Sequence, residues 1–195
     1  MGRIFTDRSR RKLIKGVAVL TSGALASQLL SAGANQYGVE GQVAPELEIS
    51  YWIDRDGNPT TFSLAAERGK WVMLKLFQDW YPGCHSSGFP TLQTFAAEFA
   101  DHPRVAIASI QTVFEGFGSN TLEDVRKNQI RYQLPITMGH DPGDANGDHR
   151  PHTMRAFRTG GTPWIILIRP DGRVVYNHFH VNTERLIDYV GSRVG

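Results

Sequence analysis

A chain of 195 residues, 41% of them hydrophobic, 21% charged and 10% aromatic, holds the material for one ordinary globular domain. Its single cysteine excludes an intramolecular disulfide framework and any all-thiolate zinc or iron–sulfur site, so sulfur chemistry has to run through Cys84. The formal charge of +2 conceals an asymmetry: Arg3, Arg8, Arg10, Arg11, Lys12 and Lys15 near the N-terminus face Asp7 alone, and the acidic remainder offers no basic surface to nucleic acid.

Gly16 to Ala34 carries no charge and closes on Ala32-Gly33-Ala34, a small-x-small cleavage pattern, so residues 1–34 read as an export signal. Ser9-Arg10-Arg11-Lys12-Leu13-Ile14-Lys15 resembles the twin-arginine export motif, with Leu13 where that motif usually has an aromatic residue. The alternative is an uncleaved anchor, because the uncharged run is just long enough to cross a bilayer core of about 30 Å as a helix. Either way the body is expected outside the cytoplasm, in a bacterial periplasm, an oxidising place where a lone cysteine needs a reason.

Residues 35–46 mix Gly, Pro and polar residues without periodicity and read as a linker, leaving 47–195 as the folded domain. Leu47 to Ile53 and Thr60 to Leu64, around Asp54-Arg55-Asp56-Gly57-Asn58, predict a β-hairpin. Trp71 to Phe77 is nearly continuous apolar sequence, as in a parallel strand covered on both faces. Phe89, Leu92, Phe95, Ala96 and Phe99 recur at helical spacing, and Val105 to Ile110 is a further buried strand. Leu122 to Tyr132 predicts a helix capped by Asn120 or Thr121. Trp164 to Ile168 and Val174 to Phe179 flank the turn Arg169-Pro170-Asp171-Gly172-Arg173, and a closing helix follows, with Thr183 as its expected cap and Leu186, Ile187 and Val190 facing inward. The long segment from Pro135 to Thr159 is expected as a loop, its Asp141 to Asp148 stretch having the wrong carboxylate spacing for calcium. These elements predict an α/β sandwich with a central mixed sheet and helices on both faces.

Cys84 lies in Asp79-Trp80-Tyr81-Pro82-Gly83-Cys84-His85, after the central strand and at the start of a helix. Amide N–H groups and the helix dipole there stabilise an anion and lower a thiol's pKa. Pro82 suits a first helical turn, where its missing N–H costs nothing. A small buried hydrophobe is the other common fate of a free cysteine.

Trp80-Tyr81-Pro82-Gly83-Cys84 resembles the Trp-Cys-x-x-Cys active site of thioredoxin-like proteins, with Pro90 matching the proline later in that helix. Gly160-Gly161-Thr162-Pro163-Trp164 resembles the family's cis-proline loop, and Ile165 to Tyr176 the hairpin after it. The nearest branch is the redoxin group, comprising exported thiol-disulfide oxidoreductases and, more distantly, peroxiredoxins of the alkyl hydroperoxide reductase/thiol-specific antioxidant kind. The resemblance implies a thioredoxin-like fold with the N-terminal hairpin as an extension. It also implies that Thr162 presents its backbone to an extended substrate, that Trp80 forms an apolar platform, and that the resolving cysteine survives as Cys84. Tyr81 stands where the family's attacking cysteine would be, so a two-thiol cycle within the chain is impossible.

Lys75 sits in the middle of the central strand, at the place of the buried acid found in many thioredoxins. Its head is expected either to reach the sheet rim and water or to stay inside, where an ammonium near Cys84 favours the thiolate. His85 is expected to neighbour or tune the thiol. A copper site built from Cys84, His85 and a remote histidine is the weaker reading, because adjacent residues seldom chelate together, and neither a metal nor a cofactor is expected. The sequence thus points to an exported redoxin acting on periplasmic protein or small-molecule thiols and disulfides through Cys84, with an external thiol resolving it. The alternatives are a one-cysteine peroxidase and a thioredoxin fold that binds partners without turnover.

Overall fold

A computed structural model describes residues 37–143 and 149–195; the proposed export signal and residues 144–148 of the acidic loop lie outside the described residues. In chain order the elements are β1 (Tyr51–Ile53), β2 (Pro59–Thr60), β3 (Trp71–Phe77), a π-helical turn (Cys84–Gly88), α1 (Phe89–Phe99), β4 (Val105–Thr112), a 3-10 turn (Phe117–Ser119) and α2 (Leu122–Arg131). β5 (Thr137–Asp141), α3 (His152–Ala156), β6 (Trp164–Ile168), β7 (Val174–His178) and α4 (Thr183–Val194) complete the chain. The strands form one sheet in the order β2-β1-β5-β4-β3-β6-β7. β3, β4 and β5 run parallel and the other pairs antiparallel.

β3 is buried along its whole length because both of its faces are covered. Trp71, Met73 and Phe77 pack against Phe89, Leu92, Phe95 and Phe99 of α1 and Leu186, Val190 and Val194 of α4. Val72, Leu74 and Leu76 pack on the other face with Ile110, Ile166, Phe157, Leu47 and Leu64. Each fully buried Leu or Phe contributes about 1.5–3 kcal/mol, so this strand and its two layers dominate the stability. The parallel pairing of β3 with β4 then brings their C-terminal ends, and the loops beyond them, to one edge of the sandwich.

Several expectations change. The first hairpin is shorter than its apolar pattern suggests: Leu47 is buried under the sheet without pairing into it. The segment from Pro135 to Thr159 contains β5 and α3, hidden from sequence because Gly139 and His140 interrupt the strand pattern. Gly139 is needed there, since a Cβ would lie 2.6 Å from the Trp52 ring on the neighbouring strand. Asp141 ends β5 and accepts hydrogen bonds from the His152 and Thr153 amides, at 3.1 and 2.8 Å, which anchors α3. α2 is capped by Thr121 in a capping box with Asp124, and α4 by Asn182 rather than Thr183.

The stretch read as a linker is attached to the body. Gly41 N–H donates to Val174 O at 2.8 Å and Val174 N–H to Gln42 O at 2.9 Å, while Val39 and Ala44 are buried. The start of the edge strand β7 is thereby paired rather than left open. β7 ends at His178, which pairs with Glu40 at 2.9 Å, so His180 lies past the strand.

Candidate active site

The chain leaves β3 at Phe77 and enters the helix at Cys84, and the intervening loop is clamped from α2 and the turn before it. Asp79 N–H donates to Asn120 Oδ1 at 2.7 Å, and Asn128 Nδ2 donates to Asp79 Oδ1 at 2.7 Å. His85 Nδ1 lies 2.6 Å from the Tyr132 hydroxyl, and His85 Nε2 bonds the Asp79 carbonyl. Because a carbonyl only accepts, Nε2 carries the proton of that bond. The Tyr132 ring stacks on Phe89 with centroids 4.1 Å apart, which fixes the far end of this clamp against α1.

The helix opens on a π turn in which Phe89 N–H donates to Cys84 O. Pro90 explains the local widening, because a proline removes an α-helical hydrogen bond and its ring collides with the carbonyl four residues back. Cys84, at the start of this turn, is 0% exposed. Gln78 N–H approaches its sulfur at 3.4 Å, and the Thr162 hydroxyl on the facing loop favours its anion. Burial pushes the thiol above its ordinary pKa. Gln78, Thr162 and the Lys75 ammonium oppose that rise, while Asp79 adds to it. The lowering expected from a helix N-terminus is thus outweighed by desolvation.

Lys75 does not reach the rim. It is 1% exposed, on the α1 face of β3, and burial lowers its amine to about 8, with the negative form of Cys84 pulling the other way. Gly88 makes the room: a Cβ there would sit 3.2 Å from both Cε and Nζ of Lys75 and 2.9 Å from Cβ of Pro163. Thr162-Pro163 is cis and lies across from the turn, so Lys75, Cys84, Gly88, Thr162 and Pro163 converge in one compartment.

The remaining predicted residues form the outer wall. Trp80 and Tyr81 are 42% and 39% exposed and meet edge to face at 5.7 Å. The Trp80 indole N–H bonds Gln78 Oε1, and the ring lies over Gly116. Pro82 and Gly83 lead into the helix, with Gly83 beneath the Tyr81 ring. Both ring nitrogens of His85 are engaged, by the Tyr132 hydroxyl and the Asp79 carbonyl, so the residue next to the sulfur ties the loop to the end of α2. Gln78, Asn120, Asn128 and Tyr132 were not singled out from the sequence. Polar residues of these types sit equally well on a solvated surface, and Asn120 reads in the sequence only as a possible helix cap.

An apolar central strand, a helix opened by a cysteine and a facing cis-proline loop define a thioredoxin-like site. No protein-family model matches the sequence, and no curated protein matches it. Among solved structures, a thioredoxin-like superfamily protein is 32% identical, with a TM-score of 0.69 over 78% of this chain and 96% of that one. A thiol-disulfide isomerase from Corynebacterium glutamicum is 28% identical, with a TM-score of 0.67 over 78% of this chain and 97% of that one. The thioredoxin domain of a thiol-disulfide oxidoreductase from Bacteroides vulgatus shares the fold at 23% identity, with a TM-score of 0.59 over 80% of this chain and 99% of that one. The chain belongs to the thioredoxin-like superfamily.

Proposed function

We propose that this protein is an exported redoxin that performs thiol-disulfide or antioxidant chemistry through Cys84, with an external thiol as resolving partner. The observation that carries this reading is the buried Lys75 amine set against Gly88 of the turn that Cys84 opens, with the cis Thr162-Pro163 loop facing it. A lysine inside a core is unfavourable by several kcal/mol unless it is neutralised or paired; burial pushes both Lys75 and Cys84 toward their neutral forms, while the charge of each favours the charge of the other. The Gln78 amide adds a hydrogen bond to the same sulfur, and the Thr162 hydroxyl favours its anion. The similarity to a thiol-disulfide isomerase agrees with redox work. The basic, uncharged-run and small-residue order of residues 1–34 supports export to a periplasm.

Full burial of Cys84 favours a second reading, a partner-binding thioredoxin fold without turnover, in which the sulfur only packs. The pH dependence of Cys84 alkylation, folded against urea-unfolded, separates the two. Reaction in the folded state, rising with thiolate formation, supports the redox reading; no reaction until unfolding sinks it.

A further inference from the structure

A cysteine oxidised without a second thiol nearby proceeds from sulfenic to irreversible sulfinic acid unless another nucleophile captures it. This chain has no second cysteine, but it has a nitrogen in the right compartment. Among the described residues Lys75 Nζ makes no hydrogen bond and no ion pair with a carboxylate; it is 1% exposed, and the anionic form of Cys84 favours its charge. Its stem runs from the centre of β3 to the π turn that Cys84 opens, where the missing side chain of Gly88 admits it. Thr162 and Pro163 close the opposite side.

We propose that Lys75 is the resolving nucleophile of this site, condensing with oxidised Cys84 to a reversible sulfenamide. The inference rests on Cys84 being the redox-active group. A peroxide first takes two electrons from the sulfur: the S–O bond forms, the O–O bond breaks, and the thiol proton leaves with the departing alcohol or water. The neutral amine of Lys75 then attacks the sulfur. The S–N bond forms, the S–O bond breaks, and hydroxide departs with an amine proton as water, with no further oxidation. An external thiol reverses the link by attacking the sulfur and releasing the amine; a second thiol then frees Cys84 as an external disulfide forms. An amine ionising at about 8 has its nucleophilic form available near neutrality, which an exposed lysine largely lacks.

The test is intact-mass and peptide analysis of the full chain after limited hydrogen peroxide. The expected product is lighter by about 2 Da, joins the peptides holding Lys75 and Cys84, and returns to the starting mass with dithiothreitol. Lys75→Met is expected to gain about 32 Da as sulfinate instead, irreversibly. If that variant does not fold, the linked peptide of the wild type decides alone. Wild-type sulfinate without a link overturns the inference and leaves Cys84 redox-active. A link heavier by about 14 Da retains the oxygen and overturns the loss of water. No oxidation of Cys84 in the folded chain, with oxidation in urea, overturns both the inference and the redox reading; alkylation without oxidation overturns the inference alone.

Discussion

Lys75 and Cys84 share one buried compartment beneath the π turn, and each is displaced from its ordinary ionisation by burial while being drawn back by the other. Their effects on stability have opposite signs. The lysine amine falls from 10.5 to about 8, so between those values the unfolded chain holds the extra proton and stability rises with pH. The thiol is raised, so the folded chain holds its proton longer and stability falls as pH climbs past the ordinary thiol value.

The lysine penalty is expected to be fully present below about pH 8, and a shift of this size corresponds to about 3 kcal/mol. Lys75→Met should therefore be more stable than wild type by up to about 3 kcal/mol near roughly pH 6, with the gap closing as the pH approaches about 10. Urea unfolding of both proteins across this range measures it. A gap independent of pH would show that the amine binds its proton equally in the folded and unfolded chains, so that burial does not shift it.

The clamp on the loop before Cys84 makes a separate prediction. Asn128 is buried, and its Nδ2 donates both to the Asp79 carboxylate and to Asp124 O, at 2.7 and 2.8 Å. Asn128→Leu removes both donors, strands a carboxylate beside an apolar group and should cost about 2–3 kcal/mol. It should also speed Cys84 alkylation, because the loop that shields the sulfur loses a tie to α2. Equal alkylation rates in the two folded proteins would show that shielding does not depend on this clamp.

What the sequence discloses and what it hides follow from the range of the forces involved. β3 and α1 are legible because their apolar periodicity is a local signal, and Thr162-Pro163 because it stands in a recognisable loop. β5 is not, since Gly139 and His140 are dictated by Trp52 on another strand and by Gln111, whose Oε1 lies 3.2 Å from His140 Nδ1. The burial of Lys75 is equally non-local: its room comes from Gly88 on the turn and Pro163 on the facing loop, far apart in the chain. His85 is the complementary case. Its neighbour in sequence is the sulfur, but its partners are Tyr132 and a backbone carbonyl.

The space given by Gly88 can be filled with one methyl group. In Gly88→Ala the new Cβ would be 2.9 Å from Pro163 Cβ and 3.2 Å from Lys75 Nζ, both closer than van der Waals contact. Overpacking of this kind costs about 1–3 kcal/mol. The lysine head can give way where the proline ring cannot, so the displaced group should be Lys75. Loss of stability in Gly88→Ala should accordingly be smaller in a Lys75→Met background, and a double-mutant cycle that returns simple additivity would contradict the shared compartment.

Tyr81→Cys asks whether the rest of the site is still competent for dithiol exchange. Cys84 N–H donates to Tyr81 O at 2.9 Å, which places the two residues on adjacent sides of a single turn. The position of Tyr81 is partly exposed while Cys84 is buried, the division of labour needed for one thiol to attack and the other to resolve. The variant should form a disulfide between the two and reduce a small model disulfide at least about tenfold faster than wild type. Its new thiol should also intercept oxidised Cys84 before Lys75 does, removing the lysine-linked product after peroxide treatment. A folded variant that forms the disulfide yet shows no gain would indicate that Gln78, Thr162 and Lys75 hold Cys84 in a geometry unsuited to exchange.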